Sequence, residues 1–124
     1  MKGQRLFIRP LNADDRPRLE QFYLSENASL PDESDGLIGF LVGEVVAHLS
    51  FKQLPPVMEI QALWVAKHLR RKRIARTMVS ELASMAAKLE LTRLVVRNGE
   101  ETNEAFLRLG FSKAPDGTLV RSVE

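Results

Sequence analysis

Six basic residues and no acid lie between Lys67 and Arg76: Lys67, Arg70, Arg71, Lys72, Arg73 and Arg76. Guanidinium and ammonium groups crowded this closely suit a phosphate or pyrophosphate. Four acids and no base lie between Glu26 and Asp35: Glu26, Asp32, Glu33 and Asp35. Two segregated patches of opposite charge require an explanation that the net charge of +2 hides. The chain has no cysteine, so thiol nucleophiles, thiolate metal sites and disulfides are excluded. Its two histidines, His48 and His68, are too few for a His-rich zinc site, and no metal ligands are assigned.

The basic run matters because of the elements around it. Met58–Val65 reads as a strand, apolar on both faces from Ile60 on, as in a covered central strand. After the run, Ile74, Met78, Leu82, Met85 and Leu89 recur at spacings of 4, 4, 3 and 4, the stripe of an amphipathic helix. The run therefore joins a strand to a helix N-terminus, where unpaired N–H groups and the helix dipole favour an anion. A charge run alone is an ordinary solvated loop; the strand–loop–helix setting favours the phosphate reading.

Residues 4–9 read as a first strand, and a helix of about residues 15–25 follows, with Asp14, Asp15 and Pro17 at its start. Residues 26–36 form a polar loop. Leu37–Val42 and Val45–Lys52 flank Gly43-Glu44 as a hairpin that ends at Pro55-Pro56. Leu91–Arg97 is a strand, and Asn98-Gly99 a turn. A short helix begins at Glu101 or Thr102 and ends at Gly110. Phe111–Ala114 and Thr118–Val123 close as a last hairpin around Pro115-Asp116-Gly117. The order β-α-ββ-β-α-β-α-ββ makes a mixed α/β sheet, mostly antiparallel, with one parallel pair in the strand–helix–strand unit across residues 58–97.

At 124 residues, with 44% hydrophobic and 27% charged residues, the chain is one globular domain spanning residues 1–124. That mix excludes a disordered, collagen-like or coiled-coil chain. The basic N-terminus is not followed by a long apolar run, and Leu37–Leu49 is broken by Gly39, Gly43, Glu44 and His48. Neither a signal peptide nor a bilayer span is expected, and a cytoplasmic protein is.

Element order and the segment EIQALWVAKHLRRKRIARTMV at Glu59–Val79 resemble the GCN5-related N-acetyltransferases (GNAT). Their central motif is a strand ending in hydrophobic-x-Val, then Gln/Arg-x-x-Gly-x-Gly/Ala opening a helix. Arg70 matches the Gln/Arg and Ala75 the final Gly/Ala, while Arg73 replaces the middle glycine. FLRLGF at Phe106–Phe111 matches the second motif, with Phe106 in place of its tyrosine. The resemblance covers nearly the whole chain. It implies an acyl-CoA N-acyltransferase fold in which two parallel strands splay apart to take acetyl-CoA as co-substrate. The pantetheine arm would run along Leu63, Trp64 and Val65, pairing with backbone near Leu63 and Val65. Arg70, Arg71, Lys72, Arg73, Ile74, Ala75 and Arg76 would wrap the pyrophosphate, and Asn98 stands one residue from the family asparagine.

The resemblance also implies catalytic roles. Glu59 lies eleven residues before Arg70, where some relatives carry a basic glutamate, and His48 is the alternative base. An exposed carboxylate at a strand's start and a hydrogen-bonded histidine are the ordinary readings of the same residues. Phe106 cannot protonate a leaving thiolate as a tyrosine would. At Arg73, a positive φ would cost an arginine about 1–2 kcal/mol. His68 reads as loop surface, and Trp64, Met78 and Met85 as core side chains.

The expected function is transfer of an acetyl group from acetyl-CoA to a primary amine of a small molecule or peptide. The acids of residues 26–35 favour a cationic acceptor. The alternative is a catalytically weak relative that binds acyl-CoA and acts through a partner. A nucleic-acid-binding module is disfavoured by the low net charge and the lack of a surface aromatic cluster. Exposed sheet edges allow a homodimer.

Overall fold

The computed structural model describes residues 5–31, 35–70, 73–97 and 103–123. The strands are β1 (Leu6–Pro10), β2 (Gly36–Leu41), β3 (Glu44–Leu54), β4 (Val57–Val65), β5 (Arg93–Val96), β6 (Ser112–Lys113) and β7 (Leu119–Ser122). The helices are α1 (Arg16–Ser25), α2 (Ile74–Lys88) and α3 (Asn103–Arg108), with 3-10 turns at Ala13–Asp15 and Lys67–Leu69. The strands form one sheet in the order β1-β2-β3-β4-β5-β7-β6. Among the described residues only β4 and β5 pair in parallel, as the crossover through α2 requires. The expected element order and mixed sheet are what the chain forms.

The two larger helices cover opposite faces. Gly39, against which the Met78 sulfur of α2 packs, and Ile38 are neighbours on β2, so the two positions face opposite sides of the sheet. Ile38 pairs with His48, which meets Tyr23 of α1. A Cβ on Gly39 would lie 3.2 Å from the Met78 sulfur, so a glycine there lets α2 lie close to the sheet. Ile74, Met78, Val79, Leu82, Ala83 and Ala86 of α2 are buried against Leu49, Met58, Ile60 and Leu94. Burying a side chain of this kind stabilises the fold by about 1.5–3 kcal/mol. Leu19, Phe22 and Tyr23 bury α1.

Several boundaries differ from those read in the sequence. The β2–β3 turn is Val42-Gly43, with φ of 51° and 79°, and Glu44 already belongs to β3. A two-residue hairpin of the I′ kind needs positive φ at both central positions, and this backbone accepts it at a valine. The 3-10 turn before α1 is capped by Asn12, whose side chain accepts from Asp14 N–H while Asp15 accepts from the Asn12 N–H. Asp15 is then free to take Arg9 in a two-pronged pair at 2.7 Å for each bond. Leu89, expected in the stripe of α2, lies at its C-cap and is exposed. β5 is shorter than expected. The expected starts of the first strand at Gln4 and of the third helix at Glu101 or Thr102 lie outside the described residues. β4 is not covered along its whole length: Gln61 is exposed and Ala62, Leu63 and Trp64 are half-buried.

Candidate active site

The exposure of β4 has a direct cause. Among the described residues, β5 pairs with β4 only over Val57–Ile60, opposite Arg93–Val96. Beyond Ile60, β4 runs on without β5, whose last residue is Val96, and this unpaired edge of β4 is the gap. A register shift between Ser50 and Phe51, where Ala62 and Ile60 are the successive partners, leaves Gln61 as an extra residue in β4 where the pairing with β5 ends.

The register states which backbone groups face the gap. Ala66 N–H donates to the Val46 carbonyl at 2.8 Å, and Ala47 stands opposite Val65. Peptide groups alternate sides along an antiparallel ladder. Those of Trp64 therefore serve β3, while those of Leu63 and Val65 face the side that β5 has vacated. The Val65 carbonyl accepts a hydrogen bond from Arg70 Nε at 3.0 Å. A sheet edge of this kind accepts an extended ligand as an added strand.

Arg70 was expected to face a phosphate. Its side chain instead folds back over β4, with the guanidinium carbon 4.7 Å from the centre of the Trp64 ring. The Trp64 indole donates to Glu26 Oε1 at 3.1 Å, and the Lys67 N–H donates to the same oxygen at 2.8 Å. Burial raises the Glu26 pKa, but these two hydrogen bonds and the Lys67 and Arg70 charges outweigh it, so the carboxyl sits below its ordinary value. Glu26 thus ties the end of α1 to the top of β4, and is not free to meet an acceptor. Asp35 is exposed; Asp32 and Glu33 lie outside the described residues.

Arg73 is the N-cap of α2, with φ of 67° and ψ of 15°. The position does require the left-handed backbone that a glycine adopts freely. The Arg73 carbonyl accepts from both the N–H and the hydroxyl of Thr77. Ile74 is buried, Ala75 half-buried, and Arg76 exposed, its guanidinium 3.5 Å from the Arg108 carbonyl. Arg71, Lys72 and Asn98 lie outside the described residues.

The two base candidates do not share a site. Glu59 stands opposite Lys52 and His48 opposite Trp64, five residues apart along β4 and so roughly 15 Å from each other. Glu59 is held by Arg97, whose Nε is 2.9 Å from Oε2, and by Gln61, which donates to Oε1 at 3.0 Å. His48 is 1% exposed, and its Nδ1 is 2.8 Å from the Tyr23 hydroxyl. Its Nε2 has no hydrogen-bond partner among the described residues, nor has the nearby Ser50 hydroxyl. Burial, with a smaller contribution from Arg16, pushes the His48 pKa down to about 4. Burial pushes the Tyr23 phenol up. The pair is neutral at neutral pH and closed to solvent, which is the behaviour of a structural histidine.

Phe106 is buried on α3, with its ring edge-on to Phe111 at 5.2 Å. It carries no proton to give. Tyr23 does not replace it, since its hydroxyl is committed to His48. Reading the sequence missed the pairs Glu26–Trp64, Glu59–Arg97, Tyr23–His48 and Arg70–Val65. The first three join residues 25 to 38 positions apart and leave no local signal.

The acetyltransferase (GNAT) family model matches residues 5–111. No curated protein matches the chain. An acetyltransferase of the GNAT family from Staphylococcus aureus Mu50 superposes with a TM-score of 0.78 at 11% identity, covering 97% of this chain and 100% of that one. A GNAT family N-acetyltransferase (YhbS) from Escherichia coli, crystallised with CoA, gives 0.75 at 16% identity, covering 100% and 84%. N-acetylglutamate synthase from Neisseria gonorrhoeae, complexed with coenzyme A and N-acetyl-glutamate, gives 0.79 at 17% identity, covering 99% of this chain and 36% of that one. With the family model spanning most of its length, and the fold of these structures, the chain belongs to the GNAT family of acetyltransferases.

Proposed function

We propose that this chain transfers an acetyl group from acetyl-CoA to a primary amine. The observation that carries the reading is the end of β5 opposite Ile60, which leaves the Leu63 and Val65 peptide groups on an edge of β4 that β5 does not pair. The gap leads to a basic segment at the start of α2. A pantetheine arm is an extended chain with two amides, and fits an open strand edge. Its pyrophosphate would then meet the basic segment from Arg70 to Arg76, including the N–H groups at the α2 N-terminus. CoA complexes among the structural neighbours support the same choice of co-substrate.

In the reaction the amine nitrogen attacks the thioester carbonyl. The C–N bond forms, the C–S bond breaks, and CoA leaves as a thiolate that must be protonated. Glu59 is the assigned base for the amine and His48 the alternative; the burial of His48 favours Glu59. With Phe106 in place of a tyrosine, the thiolate takes its proton from water or from the amine's own proton. Positioning along β4 carries most of the rate. Asp35, with Asp32 and Glu33, favours a cationic amine, and the cytoplasm is the proposed location.

The second reading, an acyl-CoA-binding relative that works through a partner, is favoured by Phe106 and by the ion pair on Glu59. Acetyl-CoA should raise the melting temperature, because a ligand that binds only the folded state stabilises it. Thiol release with a panel of amines separates the readings: binding with turnover supports the transferase, and binding without turnover supports the second. No thermal shift at millimolar acetyl-CoA removes both.

A further inference from the structure

We infer that Arg70 makes the gap selective, holding it closed against acyl thioesters that carry no phosphate; the inference rests on the acyl-CoA reading above. The Val65 carbonyl is the last acceptor of β4 on the side that β5 leaves open. Arg70 Nε already donates to it at 3.0 Å, and the guanidinium lies over Trp64 at 4.7 Å. The place that receives Arg70 is built by residues from elsewhere. Glu26 fixes the indole by accepting from its N–H, fixes the turn by accepting from Lys67 N–H, and sets a carboxylate charge close to the guanidinium.

An arm laid along β4 needs the same carbonyl and the same space. Arg70 and the arm therefore compete. What Arg70 gains on release differs between ligands. A pyrophosphate offers it charge-assisted, two-pronged hydrogen bonds, stronger than one bond to a neutral carbonyl. A thioester without phosphates offers it nothing, so the contact to Val65 and Trp64 is lost without return. Arg70 is exposed, so its swing disturbs no core packing. The side chain thus links the two halves of the ligand: the arm enters readily only when the phosphates arrive with it.

The test compares coenzyme A with pantetheine, which has the arm and thiol but no phosphate, on the full chain. Affinities are read by titration calorimetry for coenzyme A and by backbone amide shifts for pantetheine. Arg70→Ala should bind pantetheine about threefold to fivefold more tightly than the parent, the worth of a released hydrogen bond. The same variant should bind coenzyme A more weakly, having lost a phosphate contact. Arg70→Lys should keep most of the gain for pantetheine and recover part of the loss for coenzyme A. Pantetheine affinity that stays the same or falls in Arg70→Ala overturns the inference, whatever coenzyme A does. Equal gains for both ligands overturn it too, since Arg70 would then be a plain obstruction. A parent protein that binds neither ligand removes the acyl-CoA reading itself, a separate result from the parent binding coenzyme A and the variants failing to discriminate.

Discussion

Arg97 Nε lies 2.9 Å from Glu59 Oε2, joining β4 to the first residue beyond β5, close to where their pairing ends. The Glu59 side chain is 14% exposed and that of Arg97 is 50%. A carboxylate held this way is fixed in place beside the gap by a partner that solvent can reach.

As the amine's base, Glu59 should be far more costly to lose in rate than in stability. Glu59→Gln is expected to lower kcat about 10²-fold or more. It should leave KM for acetyl-CoA unchanged and reduce stability by about 1 kcal/mol, the worth of a pair with one partner open to solvent. Arg97→Gln, which keeps the carboxylate but removes its counter-charge, should cost at least as much stability and far less rate. Steady-state kinetics and urea unfolding of both variants settle this. Equal rate losses in the two would mean that the pair positions the strands and that proton transfer occurs elsewhere.

The buried His48 predicts a pH dependence of folding. Its folded pKa, about 4, lies below the ordinary value of 6.5. Between those values the unfolded chain binds more protons than the folded one, so stability rises with pH. The contribution is complete above about pH 6.5 and is lost as pH falls toward 4, amounting to about 3 kcal/mol at most. Asp15, whose pKa is lowered chiefly by the Arg9 hydrogen bonds, acts in the same direction but below its ordinary 3.8. Unfolding midpoints from pH 7 to pH 4 should therefore fall in the parent and fall less in His48→Gln. A parent curve that is flat over this window would contradict the burial of a neutral histidine.

Reading the residues in order gave the element order, the mixed sheet and the position of the basic turn, because each has a local cause. Periodicity marks α2, and glycine and proline mark the turns. What it did not give depends on distance in the chain. Ile60 to Val65 is as apolar as a covered strand, and only the early end of β5 explains why its second half is exposed. Glu26 reads as one acid among four, and its commitment to Trp64 and Lys67 spans 38 and 41 residues. Arg73 was legible only as a condition: the motif glycine it replaces left open a positive φ, and the φ is 67°.

That backbone gives a third prediction. A non-glycine residue in the left-handed region costs about 1–2 kcal/mol, while a glycine loses more freedom on folding by about 0.4–1 kcal/mol. Arg73→Gly should therefore stabilise the free protein by about 0.5–1 kcal/mol. Arg73→Ala keeps the strain and removes only the charge, so it should match the parent in stability. Chemical unfolding without ligand is the measurement. If glycine and alanine behave alike, the left-handed backbone at this N-cap carries no strain.

Phe106 gives the last prediction. Its ring is 5% exposed and packs edge-on to Phe111. Phe106→Tyr adds a hydroxyl to a buried cluster. Without a partner that hydroxyl costs about 1–3 kcal/mol, so the free variant should melt below the parent. A bound thioester supplies the partner, and the phenol can then protonate the leaving thiolate. The variant should accordingly gain more melting temperature from acetyl-CoA than the parent does, and its kcat should rise about tenfold or more. Binding and chemistry are read separately by thermal shift and by thiol release with one amine at saturation. A larger thermal shift with an unchanged rate would mean that the phenol meets the cofactor but that thiolate protonation does not limit turnover. A smaller shift and an unchanged rate would mean that position 106 never reaches the sulfur, and that the tyrosine-like site of the second motif is only a core position in this chain.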